Sequence, residues 1–191
     1  RALKVDKTCA PAWHFAGLSH ASLHKREQAV KAFETCLKHD PKYVAALTHL
    51  AYHRKDQGKL DEAKALLRQA IAIDPDEEQP YLNLMGYLQD GGEFDEADAL
   101  LKQARKRGLE SQALRQAQAS LMLKQGNITG ANKLYRAILA EQPENSDASS
   151  GLLFCSNYDP DLTPEQLAQA YRLWDQRFTR WRAPPVGYRY P

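Results

Sequence analysis

Residues 10–43 read APAWHFAGLSHASLHKREQAVKAFETCLKHDPKY, and their pattern returns along the 191-residue chain with a period of 34 residues. The clearest marker is an alanine that recurs in four copies, each followed four positions later by a bulky apolar residue. The two series are Ala29, Ala63, Ala97 and Ala131, and Phe33, Leu67, Leu101 and Tyr135. Residues four apart lie on one face of an α-helix, so each copy contains a helix whose packed face is built in the same way. The sequence therefore predicts a repeat array.

A glycine series and a proline series divide each copy into two helices. The glycine is replaced by His24 in the first copy, and the proline is replaced once by Leu109. The remaining members are Gly58, Gly92 and Gly126, and Pro41, Pro75 and Pro143. Glycine permits the positive φ that ends a first helix, and proline costs little just before the next helix begins. Because one helical hairpin cannot bury its apolar face alone, we predict an all-α solenoid of stacked hairpins with a concave and a convex face.

A 34-residue unit of two helices that ends in proline resembles the tetratricopeptide repeat (TPR). In the first copy Trp13, Gly17, Ala29, Phe33 and Pro41 fall where that motif has tryptophan, glycine, alanine, an aromatic residue and proline. The resemblance implies a right-handed superhelix and a surface that binds proteins or peptides.

The register divides most of the chain into complete units. These are residues 10–43, 44–77, 78–111 and 112–145. We expect residues 1–9 to be the end of a preceding repeat, so that the chain begins inside an array. The fourth unit is irregular in its first helix, where Arg115 and Gln118 replace the expected apolar residues.

Residues 146–182 keep the register at first and then leave it. The turn sequence Asn157-Tyr158-Asp159-Pro160 is followed by Thr163-Pro164-Glu165-Gln166, a pattern typical of a helix N-terminus. The helix that it starts carries an apolar stripe: Leu167, Tyr171, Trp174, Phe178 and Trp181. We expect the last four of these to cap the solenoid, or alternatively to form an exposed interface. Residues 183–191 are expected to be a tail or linker.

The junction from Leu152 to Trp174, with its Asn157-Tyr158-Asp159-Pro160 turn, resembles bacterial proteins similar to O-linked N-acetylglucosamine transferase, the SPINDLY-like group. That resemblance implies a parent enzyme that transfers a sugar from a UDP-sugar to serine or threonine, with the array docking its protein substrates. Repeat arrays of that family often carry asparagine at the sixth position of each unit. Here those positions hold Phe15, His49, Asn83 and Ala117.

Composition narrows the class of protein. A formal net charge of +2 gives no strong field for nucleic acid or membranes, and a mean hydropathy of −0.63 is that of a water-soluble chain. No apolar run approaches the length of a membrane span, and no signal peptide is visible. Cys9, Cys36 and Cys155 are few and far apart, which favours a reducing compartment, the cytoplasm. Cys36 occupies a small-residue position and is predicted to be buried.

The first helix of each unit is expected to line the concave face. The predicted groove residues are His14, Phe15, Leu18, Thr48, His49, Tyr52, Lys55, Gln79, Leu82, Asn83, Gln89, Gln116, Ser120 and Lys124. This mixture of aromatic and polar side chains suits an extended or helical peptide, and Lys55 and Lys124 are its main positive charges. The alternative is a solvated face without a partner.

Other candidate sites have plainer explanations. His20/His24 and His49/His53 have the i, i+4 spacing of metal ligands, but no third ligand completes either pair, so we expect no metal and no cofactor. No catalytic constellation is visible. Arginines and aromatic residues mix in the tail beyond Arg177, where a linker is a simpler interpretation than a nucleic-acid contact.

Two functions follow, and they differ in what continues beyond Pro191. The first is a protein-binding scaffold that forms the substrate-docking region of a glycosyltransferase. The second is a stand-alone adaptor or assembly protein, and an RNA-binding array is a third, weaker hypothesis. The sequence leaves a homo-oligomer open.

Overall fold

The computed structural model describes residues 8–178. Within that range the chain forms α-helices joined by short turns, with no strand. The helices are α1 (Ala10–Ser22), α2 (Arg26–His39), α3 (Val44–Asp56), α4 (Leu60–Ile73), α5 (Glu78–Asp90), α6 (Phe94–Lys106), α7 (Gln112–Lys124), α8 (Ile128–Glu141), α9 (Ser146–Ser156) and α10 (Pro164–Phe178). The predicted all-α fold is confirmed.

The helices follow the sequence period. The odd-numbered helices α1 to α9 begin at residues 10, 44, 78, 112 and 146, and the even-numbered helices α2 to α8 begin at residues 26, 60, 94 and 128. The glycines predicted to end the first helices adopt left-handed backbone, with φ between +75° and +80° at Gly58, Gly92 and Gly126. His24 takes the same conformation with φ +57°, although its Cβ disfavours it.

The chain divides into two compact units at Leu114 and Arg115. In the first unit α1 packs on α2, α3 on α4, and α5 on α6, while α2 and α4 also pack on the first helix of the next hairpin. Small residues allow these close approaches. Ala29 and Cys36 are fully buried beside the equally buried Phe33, and Ala10, Val30, Ala46 and Leu50 complete this cluster.

The second unit has its own core. Tyr135 and Ile138 of α8 pack with Ala119 of α7 and with Ala148 and Cys155 of α9. Helix α10 packs on α9 but has no buried residue of its own. Its start is a capping box, as predicted: the Gln166 N–H donates to Thr163 Oγ1 (3.3 Å), and the Thr163 N–H donates to Gln166 Oε1 (2.8 Å).

Charged residues order the starts of the second helices. Asp61 and Glu62 lie in the first turn of α4, and Asp95 and Glu96 in that of α6, where carboxylates complement the helix dipole. Glu62 Oε2 also lies 3.2 Å from Arg54 Nε. These acids thus have a structural explanation. In the part of the chain that the structure describes, no helix is both long and apolar enough to cross a bilayer.

Candidate partner-binding face

The first helices of the first unit are linked through their side chains. The rings of His14 on α1 and His49 on α3 are 5.3 Å apart, and Lys55 Nζ at the end of α3 lies 3.1 Å from Asp90 Oδ2 at the end of α5. We call the accessible side of α1, α3 and α5 the first-helix face. It is this face that the sequence predicts to bind a partner.

Two large side chains stand out of the first-helix face. Phe15 is 64% exposed and Tyr52 is 54% exposed, whereas the histidines beside them are largely covered. The Phe15 ring contacts the ring of His14 at a centroid distance of 5.5 Å, and Tyr52 meets His53 edge-on at 5.4 Å. Both are therefore held against a packed base, which leaves their outer surfaces available for contact.

A pocket of about 610 Å³ opens where α3 and α5 begin. Its wall is formed by two turns and the first residues of both helices: Asp40, Lys42, Tyr43, Val44, Ala45, Thr48, His49, Asp74, Glu77 and Gln79. Three of these side chains are carboxylates and one is an ammonium group. Gln79 extends the polar lining along α5, because its Nε2 donates to Asn83 Oδ1 at 2.9 Å.

Histidines cluster behind the pocket around the buried ring of Phe33. His49 and His53 stack on that ring at 5.4 and 5.8 Å, and His14 lies 5.9 Å from it. Burial lowers the pKa of all three imidazoles, that of His49 further through the neighbouring His14 and His53. Neither ring nitrogen of His14 has a hydrogen-bond partner among the residues that the structure describes.

The predicted groove residues of the first unit differ in exposure. Phe15, Tyr52, Lys55 and Gln79 are exposed, and Leu18, His49, Leu82 and Asn83 are half-buried. His14, Thr48 and Gln89 are only 6–7% exposed, so their side chains contribute to packing. The first helices contact neighbours on more than one side, and this covers positions that helical periodicity alone places on the groove.

Lys55 is engaged rather than free. Besides its ion pair with Asp90, its Nζ lies 4.7 Å above the centre of the Tyr87 ring. The ammonium group predicted to be a main positive charge of the groove therefore holds α3 to α5.

The remaining groove residues, Gln116, Ser120 and Lys124, lie on α7 in the second unit. Gln116 and Ser120 are half-buried, and Lys124 is exposed. Arg115, which replaces an apolar residue of the repeat pattern, donates from Nη1 to Glu141 Oε1 of α8 at 2.8 Å. This bidentate ion pair accounts for the arginine in that helix.

The C-terminal apolar stripe is only partly covered. Trp174 and Phe178 are half-buried with their rings 5.8 Å apart, and they line a pocket with Leu152 and Leu153 of α9. Tyr171 is 43% exposed. Its hydroxyl donates to Asn157 Oδ1 at 3.1 Å, which joins α10 to the turn that follows α9. Trp181, the last member of the predicted stripe, and the basic tail lie outside the described residues.

Sequence comparison identifies the repeat. The family model described as Tetratricopeptide repeat matches residues 22–85 and again residues 54–121, which together span more than half of the chain. The chain belongs to the tetratricopeptide repeat family. Among curated protein sequences none matches it significantly.

Solved structures share the TPR fold at low sequence identity. PilF of Pseudomonas aeruginosa matches with a TM-score of 0.74 and 19% identity, over 90% of this chain and 77% of that one. PilW, a type IV pilus biogenesis factor, gives 0.76 and 20%, over 88% and 77%. YrrB, a TPR protein with an unusual peptide-binding site, gives 0.67 and 15%, over 93% and 90%. At these identities the likeness establishes the fold alone.

The sequence did not reveal the acidic pocket of this TPR chain. Asp40, Asp74 and Glu77 lie in the turns that join successive repeats, and only the stacking of repeats brings them to one pocket. Asp40 and Asp74 are 34 residues apart, so their shared register was the signal that could have found them.

The cysteines and histidines have structural surroundings. Cys36 is buried as predicted, and burial, with Asp40 nearby, raises the pKa of its thiol to about 11. Cys155 is buried as well, in the core of the second unit. Over residues 8–178 no group of three or more histidine, cysteine or acidic side chains is arranged to hold a metal ion.

Proposed function

We propose that this TPR chain is a protein-interaction scaffold whose first unit binds a peptide or protein segment on the first-helix face. The observation that carries the proposal is the combination of exposed aromatic side chains, Phe15 and Tyr52, with an open polar pocket on the same row of helices. Aromatic anchors beside hydrogen-bonding groups are the usual composition of an interface that binds peptides.

The geometry of α3 and α5 supports an extended segment. Tyr52 lies about one helical turn beyond Thr48 and His49, which line the pocket, and the Gln79–Asn83 pair borders the pocket on α5. The side-chain amides can bond to a peptide backbone, while Tyr52 covers an apolar side chain. YrrB, a TPR protein with a described peptide-binding site, offers an analogy of fold for this use of the repeat.

The finer proposal is that the scaffold serves as the substrate-docking region of a transferase similar to O-linked N-acetylglucosamine transferase. Its support is the Asn157-Tyr158-Asp159-Pro160 junction, in which Asn157 bonds to Tyr171 of the last helix. The alternative is a stand-alone adaptor, and the cysteine usage favours the cytoplasm in either case. Measuring the intact mass of the native gene product separates them: a product several tens of kilodaltons larger, extended C-terminally and able to turn over a UDP-sugar, supports the transferase, whereas a mass near 21.6 kDa contradicts it.

Selection of phage-displayed random peptides on the intact chain tests binding itself. Peptides that bind the chain are then measured against the variants Tyr52→Ala and Asn83→Ala, with Leu23→Ala as control, because Leu23 is exposed to a similar extent (62%) but lies outside the predicted groove. We expect Tyr52→Ala to weaken binding by about tenfold or more, as for an aromatic anchor, and the control to change nothing. Failure to select any peptide, or equal affinities for all variants, contradicts the proposal.

A further inference from the structure

We propose that the pocket where α3 and α5 begin takes a basic side chain of the partner, and that an apolar side chain two residues away in the same extended segment lies on Tyr52. This inference rests on the proposed function, since it names the chemistry of the segment that the first-helix face binds. It commits to a basic and apolar peptide rather than to an acidic one.

The charge of the pocket carries the first step. Asp40, Asp74 and Glu77 line it against a single cation, Lys42. The N-termini of α3 and α5 add about half a positive charge each. The balance therefore stays negative, and it attracts a cation.

The carboxylates are positioned but not neutralised. Asp40 Oδ1 accepts the N–H of Lys42 at 3.0 Å, and Asp74 Oδ1 accepts the N–H of Asp76 at 3.2 Å, so each has a second oxygen left for a ligand. Among residues 8–178 none of the three pocket carboxylates forms an ion pair. The contrast with the rest of this unit is clear, because other acids there are paired with lysine or arginine. Examples are Glu34 with Arg54, Asp90 with Lys55 and Glu96 with Arg68.

The aromatic wall also suits a cation. Tyr43 and His49 line the pocket and present ring faces on which a guanidinium or ammonium group can stack. The burial that lowers the pKa of His49 keeps its imidazole neutral at pH 7, so it does not repel a positive charge. An acidic side chain meets three carboxylates here, and the nearby Lys55 is already paired with Asp90.

Spacing sets the second part of the motif. Tyr52 follows His49 by three residues on α3, a rise of about 4.5 Å along the helix axis. Alternate side chains of an extended peptide lie about 6.6–6.8 Å apart on one face, which reaches from the pocket mouth to the exposed Tyr52 ring. The segment thus reads as a basic residue, any residue, then an apolar or aromatic residue.

Fluorescein-labelled heptapeptide pools with randomised flanks test this against the full chain. One pool fixes arginine or lysine at the third position and phenylalanine at the fifth. Matched pools carry glutamate or serine in place of the basic residue, or serine in place of phenylalanine. Fluorescence polarisation gives the affinities. We expect the basic pool with phenylalanine to bind about tenfold tighter than the glutamate pool, and to lose affinity when salt rises from about 0.05 M to about 0.5 M.

A pair of variants locates the cation. Asp74→Asn combined with Glu77→Gln removes two charges and keeps the Asn oxygen that can still accept the Asp76 N–H. Asp76→Asn is the control, because it removes a carboxylate from the same turn outside the pocket lining. The double variant is expected to bind the basic pool about five- to tenfold more weakly, down to the level of the serine pool, with the control unchanged. Circular dichroism confirms that each variant is folded.

The outcomes separate this inference from the proposed function. If the glutamate or serine pool binds as tightly as the basic pool, or the double variant binds normally, the cation inference is wrong, although a loss of binding in Tyr52→Ala still supports the groove. If the basic pool binds but Tyr52→Ala and the serine-for-phenylalanine pool bind equally well, the apolar half of the motif is overturned. Absence of binding by every pool contradicts both proposals.

Discussion

A Cβ atom placed on Gly17 would lie 2.5 Å from Cε1 of Phe33, so the aromatic ring occupies the space that a side chain at position 17 would need. Because Phe33 is fully buried between α1 and α3, it has little room to move away. We therefore expect Gly17→Ala to destabilise the chain by about 1–3 kcal/mol through overpacking, measured as the free energy of unfolding in urea.

Gly86 provides the matched control for that measurement. It lies inside α5, and a Cβ atom there meets nothing within 4 Å. Gly86→Ala is expected to stabilise the chain by about 0.5–1 kcal/mol, because alanine has the higher helix propensity. Equal effects of the two substitutions would show that the Phe33 contact does not limit position 17.

The buried histidines predict a loss of stability on acidification. Burial lowers the pKa of His14, His49 and His53 in the folded chain from 6.5, although the carboxylate of Asp56 opposes this shift at His53. Below pH 6.5 the unfolded chain therefore binds more protons than the folded chain, and folding becomes less favourable. We expect the free energy of unfolding to be flat between about pH 8 and 7 and to fall between about pH 6.5 and 5.

His14→Phe tests the source of that pH dependence. Phenylalanine keeps a ring between Tyr43 and His49 but removes two buried nitrogens that have no partner in the described part of the chain. The variant should be at least as stable as the parent at pH 7 and lose less stability at pH 5. Identical pH profiles for parent and variant would exclude His14 as a contributor.

The positive φ of His24 predicts a stabilising substitution. His24→Gly places glycine where the other repeats have it and relieves the left-handed strain, for an expected gain of about 0.5–1 kcal/mol. The converse change Gly58→Ala, at φ +76°, should cost about 1 kcal/mol. Thermal unfolding followed by circular dichroism compares the two, and a loss of stability in His24→Gly would contradict the expectation.

Trp174 tests whether α10 caps the second unit. Its ring is half-buried against α9 and Phe178, so Trp174→Ala should lower stability by about 1–2 kcal/mol, less than for a fully buried tryptophan. Leu173→Ala serves as control, because Leu173 is 58% exposed on the same helix. If both variants melt at the parent temperature, the stripe acts as an interface instead of a cap.

The sequence predicted the repeated part of this fold and missed what the stacking of repeats creates. Helix starts, the left-handed turns and the burial of Cys36 follow from local spacing, which is the same in each copy. The pairing of Lys55 with Asp90 joins different positions of two repeats, 35 residues apart, so a search along one register does not find it. The burial of His14 and Gln89 likewise depends on neighbouring helices that approach from more than one side.

The constant spacing of helix starts separates foldability from recognition. Since helices of each kind begin 34 residues apart, deleting or duplicating one whole unit leaves every turn in phase. The pocket at the start of α3 and α5, however, takes its wall from two consecutive units, with Asp40 and His49 before the boundary at residue 77 or within the unit it closes, and Gln79 beyond it. Shuffling units would thus rewrite ligand preference at each new seam while the architecture persists, and the seams are where an evolving array stores its specificity.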